Sequence, residues 1–234
     1  MATLSLNPSW LEFQSKSGVW LLGPRRRLAS MVSLGVDDPR ALDDADVAQV
    51  IAESKAYFRG PNWYRGWFHW LESLLVDSGV GSYLDGTACH LDLVQWATKP
   101  AQRDLPAAAW DHLVEQDHDF LRWQLLTSNV AVVLLNGASV VRWVQRVGLV
   151  NGFDEGVLVF RTNRGNDELR VFGAVGEGVS FLGWNRPLAG ALAADGRQRL
   201  GLWLAQALQD RTHGAAASQE APRAAPTRAA GAPR

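Results

Sequence analysis

Val130-Ala131-Val132-Val133-Leu134-Leu135-Asn136-Gly137-Ala138-Ser139-Val140-Val141 reads as one strand, one tight turn and the start of one helix. Six consecutive apolar residues ended by Asn-Gly have the length and composition of a strand buried on both faces, as in parallel sheets. Beyond the turn, Val140, Val141, Val144 and Val147 fall at helical spacing. A strand that runs directly into a helix is half of a βαβ unit, and a chain built from several such halves belongs to the α/β class.

Three other segments repeat the arrangement. Ala2-Thr3-Leu4-Ser5-Leu6-Asn7-Pro8-Ser9 is a short apolar run entering a turn, because Pro8 fixes its own φ and biases Asn7 away from helical geometry. Tyr83 to Leu91 reads as a strand interrupted at Gly86, ending in Leu91-Asp92-Leu93-Val94. Val179 to Leu182 is a last short strand, followed by Gly183-Trp184-Asn185-Arg186-Pro187-Leu188.

Helices are expected between the strands. Leu42 to Phe58 has Val47, Val50, Ile51 and Phe58 at helical spacing, with Asp43, Asp44 and Asp46 complementing the dipole of the first turn. An aromatic helix carries Trp63, Trp67, Trp70, Leu71, Leu74 and Leu75. Leu105 to Leu126 is expected as a broken or bent helix with Trp110, Leu113, Val114, Phe120 and Leu121 inward. Leu200, Trp203, Leu204, Ala207 and Leu208 mark a final helix. Val157 to Phe160 and Leu169 to Val175 flank Asn163-Arg164-Gly165-Asn166 as a hairpin. The expectation is a three-layer α/β/α domain over residues 1–213, with a short, mostly parallel four-stranded central sheet and an added hairpin.

Composition narrows the function classes. A chain of 234 residues, 47% hydrophobic, is long enough for one large domain with a full core. A net charge of −1 argues against broad electrostatic capture of nucleic acid and leaves room for a local basic groove. The single Cys89 excludes an intramolecular disulfide and any cysteine-held zinc or iron–sulfur site, and it fits a reducing compartment. No apolar run approaches the about 20 residues that span a bilayer, and no basic-then-apolar leader is present. The expectation is a cytoplasmic protein with no membrane partner. Residues 214–234 are Ala/Pro/Arg-rich with no aromatic residue and are expected as a disordered tail. A central strand starting at residue 2 has nothing before it to cover it, which suggests a start further upstream.

Each buried strand delivers a polar group at its carboxyl end: Asn7, Asp92, Asn136, and Asn185 with Arg186. In a parallel sheet those ends converge on one edge, where open α/β folds hold their ligands. Asn before Gly or Pro is also ordinary turn chemistry, the better account of Asn136-Gly137. Asn7 and Asp92 have apolar neighbours, a context in which a polar group is costly unless paired or used. His112 and His118 lie six apart on an expected helix and so on different faces, which makes no metal pair. His90 shares a strand face with Asp92. Arg25-Arg26-Arg27 fits a solvated loop better than a phosphate site. Gly173, Gly176 and Gly178 do not follow a strand and open a helix, so they are no nucleotide loop. Neither a metal nor a cofactor is expected.

Leu6-Asn7-Pro8-Ser9 resembles the first motif of the uracil-DNA glycosylase superfamily, which in its mismatch-specific and single-strand-selective branches reads Gly-hydrophobic-Asn-Pro-Gly. His90-Leu91-Asp92-Leu93-Val94-Gln95-Trp96-Ala97-Thr98 sits where those enzymes carry Phe-Thr-Asn, apolar residues and a Thr. Val130 to Val141 is similar to their third strand with its Asn-Gly. Gly183-Trp184-Asn185-Arg186-Pro187-Leu188 occupies the place of the loop that reaches the minor groove. The four segments occur in the family's order across residues 2–209.

The resemblance implies a metal-free, monofunctional glycosylase that hydrolyses the N-glycosidic bond of a damaged or mismatched base flipped from DNA. It implies that Asn7 orients the attacking water and that Asp92 reads the base, with Trp10, Phe13 and Trp96 lining its pocket. Ser9 and Arg186 would contact DNA. The first motif lacks its leading Gly and ends in Ser9, and the last motif has no His. The donor to the departing base therefore falls to Asn185 or Arg186. Two other readings of the same scaffold are a non-catalytic nucleic-acid or nucleotide-binding module and a hydrolase of free nucleosides.

Overall fold

The computed structural model describes residues 1–163, 165–188 and 192–219, with 211–219 as backbone alone. Six strands form one sheet: β1 (Ala2–Ser5), β2 (Cys89–Asp92), β3 (Val132–Asn136), β4 (Asp154–Thr162), β5 (Gly165–Gly176) and β6 (Val179–Trp184). The helices are α1 (Met31–Leu34), α2 (Asp44–Ala56), α3 (Arg65–Asp77), α4 (Ala107–Thr127), α5 (Ala138–Arg146) and α6 (Ala194–Gln219), with short 3-10 turns between them. The strand order is β2-β1-β3-β6-β5-β4. β2, β1, β3 and β6 run parallel, and β5 and β4 continue the sheet antiparallel from β6. The sheet thus has six strands rather than four, because the hairpin is hydrogen-bonded onto the edge of β6 instead of standing apart.

The layers follow from the two-residue period of the strands. Leu4, Val133, Leu135 and Phe181 pack on one face with Trp110, Val114 and Leu121 of α4 and Val140, Val141 and Val144 of α5. Leu134, Leu182 and Trp184 point to the other face, with Phe68, Leu71 and Leu75 of α3 and Leu200 and Leu204 of α6. The architecture is α/β/α. The chain leaves β1 toward α3 on the second face, whereas its neighbours β2 and β3 leave toward α4 and α5 on the first. The carboxyl end of β1 is therefore a topological switch point, where an open α/β sheet opens a crevice.

Several elements differ from the sequence expectation. The strand expected from Tyr83 is confined to Cys89–Asp92. Buried Glu72 accepts from Ser82 Oγ (2.5 Å) and Tyr83 N (2.8 Å), which holds that segment in a turn, and the Tyr83 ring stacks on Phe58 at 4.2 Å. α4 is one continuous helix of 21 residues rather than a broken one, and its Phe120 is exposed. α2 begins with the expected acidic turn, where Asp43 and Asp46 cap each other's backbone amides. Its apolar Val47 and Ile51, however, are exposed. α6 is described to Gln219; residues 220–234, most of the segment expected as a disordered tail, lie outside the described residues. Among the described residues no helix is long and apolar enough to cross a membrane.

Candidate functional site

The strand register lines up the polar strand ends. Ser5 lies opposite Asp92, and Asn136 lies opposite Trp184. The β1–β3 pairing ends with Leu4 opposite Leu135, which brings Asn136 level with Ser5. Asp92, Ser5, Asn136 and Trp184 thus form one row across the carboxyl edge, spanning about 14 Å at the usual strand spacing. All four belong to the face that carries α3 and α6. Ser5 shares parity with Thr3, which meets Tyr83, Asp92 shares it with His90, which packs on Phe68, and Trp184 lies in that core.

Asn7 stands just past this row. Pairing of the two chains continues beyond the strands through Leu93 N to Ser5 O (3.0 Å), Val94 N to Leu6 O (2.9 Å) and a bridge between Ser9 and Thr98. Asn7 Nδ2 donates to Thr98 Oγ1 (3.0 Å), Trp96 O (3.2 Å) and Pro8 O (3.3 Å). These bonds all leave through the nitrogen, so the amide is clamped with its oxygen as the group left to accept from a ligand or water. Ser9 Oγ accepts from Leu11 N (3.2 Å) and caps the 3-10 turn Trp10–Glu12.

Asp92 is 15% exposed in its side chain, and its Oδ1 is buried without a hydrogen-bond partner. His90 Nε2 is 3.6 Å from that oxygen, too far for a hydrogen bond. The opposite ring nitrogen, Nδ1, lies 2.7 Å from Thr3 Oγ1, which in turn lies 2.5 Å from Tyr83 OH. In one proton arrangement Tyr83 donates to Thr3 and Thr3 donates to His90 Nδ1, which leaves Nε2–H facing Asp92 beyond hydrogen-bond reach. Beside Asp92, the Ser5 hydroxyl is likewise buried and unpartnered. Orphaned buried polar groups are rare in folded proteins and mark ligand or water sites when they occur together.

The aromatic residues of the expected pocket are all at least partly exposed. Trp10, Phe13 and Trp96 belong to neither hydrophobic core. Trp96 is 46% exposed. Lys99 Nζ sits 4.9 Å from the centre of the Trp10 ring, a cation–π contact that covers one of its faces.

The last strand end is built differently. Asn136 is buried, and its Oδ1 accepts from both Trp184 Nε1 and Leu188 N, each at 3.1 Å. This amide is a bracket that ties the loop after β6 to β3, in keeping with the turn-chemistry account. Gly137 has φ 112°, and a Cβ there would meet Pro187 at 3.7 Å. Asn185 extends the β5–β6 ladder, with its Oδ1 accepting from Arg170 N and its N donating to Arg170 O, both at 3.1 Å. Its Nδ2 keeps its donors for other use. Arg186 makes a two-pronged ion pair with Asp167, at 2.5 and 2.8 Å, and the guanidinium holds the Asp167 carboxyl down to about 2. The hairpin bearing Asp167 runs about six residues past Trp184, or roughly 20 Å.

Asn7 and Asp92 therefore come together at β1 and β2, while Asn185 stands two strands away, about 10 Å across the row. One residue near this end was not singled out from sequence. Glu12 is 5% exposed, and Tyr57 OH donates to its Oε2 at 2.6 Å. Burial raises its carboxyl to about 7, against the lowering effects of the Tyr57 hydrogen bond, Arg27 and His90 and with a raising contribution from Asp92. Its signal in the sequence is a lone carboxylate between Leu11 and Phe13, the same apolar flanking that distinguishes Asp92.

No family model, curated protein or solved structure matches the chain. Among the described residues no group of three or more His, Cys, Asp or Glu side chains is disposed to hold a metal ion.

Proposed function

We propose that the protein is a DNA glycosylase of the uracil-DNA glycosylase type, hydrolysing the bond between a damaged or mismatched base and its deoxyribose. The observation that supports this reading is the row Asp92–Ser5–Asn136–Trp184, which brings the four strand ends that lead into or carry the motif segments to one edge of the sheet.

The chemistry asked of such a site is modest in its parts. Breaking an N-glycosidic bond develops positive charge on the sugar and negative charge on the departing base. Asn7 is held by its nitrogen and can orient a water through its oxygen. The unpaired Asp92 and Ser5 oxygens can accept from, and in the case of Ser5 also donate to, the polar edge of a flipped base. Asn185 Nδ2 is the available donor toward a base oxygen. Exposed Trp96 offers a stacking surface, and partly exposed Trp10 a second one. For Arg186 to meet a phosphate it must exchange Asp167 for it, a contact that positions DNA without reading it.

The test is base release from oligonucleotides bearing uracil, hypoxanthine, xanthine or mismatched thymine. Release from at least one substrate is expected, falling roughly 100-fold in Asn7→Ala as the water loses its orientation. No release across the panel, or release indifferent to Asn7→Ala, overturns the reading. Activity on free nucleosides but not on DNA assigns a different substrate class.

A further inference from the structure

We infer that Glu12 is the general base of this site, the group that takes the proton from the attacking water. The inference rests on the glycosylase reading and adds a residue that lies outside the matching positions of all four motifs.

Asn7 is a neutral amide, able to orient a water but not to accept its proton. Glu12 is placed to supply what Asn7 lacks. The Ser9-capped turn Trp10–Glu12 follows Asn7 directly at the switch point and turns the carboxylate into the protein, where it is almost fully buried. One of its oxygens is fixed: Tyr57 OH donates to Oε2, and Tyr64 N donates to Tyr57 OH at 2.8 Å, so the tyrosine proton is committed to the carboxylate. Oε1 receives no hydrogen bond from the described residues. The carboxylate thus has one anchored oxygen and one left over.

Its electrostatic surroundings come from three elements. Tyr57 lies in the turn after α2, Arg27 in the loop before α1, and His90 and Asp92 on β2. Arg27 does not pair with Glu12; it donates to Leu11 O and, at 2.8 Å, to Asn62 O. Burial against this field raises the Glu12 carboxyl to about 7, close to where a general base works best at neutral pH. Asp92, whose Oδ1 is buried and unpartnered, is close enough to act on Glu12 electrostatically.

The step balances without a co-reactant. The water oxygen forms a bond to the anomeric carbon of the sugar, and the carbon–nitrogen bond breaks with its electron pair leaving on the base. The water proton passes to Glu12, which returns it to the departing base or to solvent.

Single-turnover base release measured from pH 5 to 9 tests this assignment. Wild type is expected to rise with pH to a plateau above about 7. Glu12→Gln should lower the plateau at least 100-fold and abolish the inflection, and Glu12→Asp should restore part of the rate. Tyr57→Phe removes a hydrogen bond that favours the charged carboxylate and should move the inflection to higher pH. Glu12→Gln should still bind abasic-site DNA with wild-type affinity. Retention of the wild-type rate and inflection in Glu12→Gln overturns the inference while leaving the glycosylase reading intact. Loss of product binding together with activity assigns Glu12 to the fold instead, and a wild-type protein inactive on every substrate removes both.

Discussion

Ser5 and Asp92 face each other across adjacent parallel strands, and each carries a buried oxygen without a hydrogen-bond partner. A buried polar atom left unpaired costs about 1–3 kcal/mol. Two such atoms in register at a topological switch point are acceptors left for a small polar ligand or a bound water.

Ser5→Ala separates stability from function here. Removing an unpartnered hydroxyl should leave stability unchanged or raise it by up to about 1 kcal/mol, read from urea denaturation midpoints. On the glycosylase reading, the same substitution lowers base release or weakens binding of the flipped base. A variant that is equally stable and fully active would show that the hydroxyl meets no substrate.

Glu12 should make stability depend on pH in a direction opposite to that of an ordinary ion-paired acid. Its carboxyl is raised from 4.5 to about 7 in the native state, so between these values the folded protein binds the proton more tightly than the unfolded chain. The contribution is fully present below about 4.5 and is lost as pH rises through about 7. The difference corresponds to about 3 kcal/mol. Glu12→Gln keeps an acceptor for Tyr57 and should flatten this part of the curve, becoming more stable than wild type at pH 8. Denaturation series at pH 5 and pH 8 for both proteins check the sign.

The features legible in sequence are those set locally. Apolar runs ended by Asn-Pro or Asn-Gly fixed β1 and β3, and alternation along Val133, Leu134 and Leu135 sends side chains to both cores. Glu12 was hidden because its burial depends on Tyr57, 45 residues away in sequence. Val47 and Ile51 follow a helical period yet remain exposed, since periodicity marks a face without saying what covers it. The Tyr83 segment has strand-forming residues, but Glu72 captures the Tyr83 amide and the Ser82 hydroxyl in a turn. β5 pairs with β6 through the two-residue turn Glu177-Gly178, with φ of 53° and 79°, a tight hairpin signal that the reading of Val179 to Leu182 as a separate strand passes over.

Asn136→Ala tests the bracket beneath the last loop. It strips the acceptor from Trp184 Nε1 and Leu188 N at once, and leaving two buried donors unpaired should cost about 2–4 kcal/mol. Hydrogen exchange at the Leu188 amide should accelerate along with the drop in global stability. An unchanged exchange rate would mean that the loop after β6 is held by something other than this side chain.

Arg186 and Asp167 offer a direct test of the proposed DNA contact. Asp167 holds the guanidinium in a two-pronged pair, and because its carboxyl is held down to about 2, the pair persists through the whole neutral range. Asp167→Asn keeps the shape of the side chain but removes its charge, freeing Arg186 to meet a phosphate. Affinity for duplex DNA should rise, and the slope of log K against log salt should steepen by about 0.9, the signature of one added phosphate contact. Adding Arg186→Ala to Asp167→Asn should abolish that steepening. If Asp167→Asn changes neither affinity nor slope, the pair is a structural clasp for the hairpin and Arg186 makes no phosphate contact.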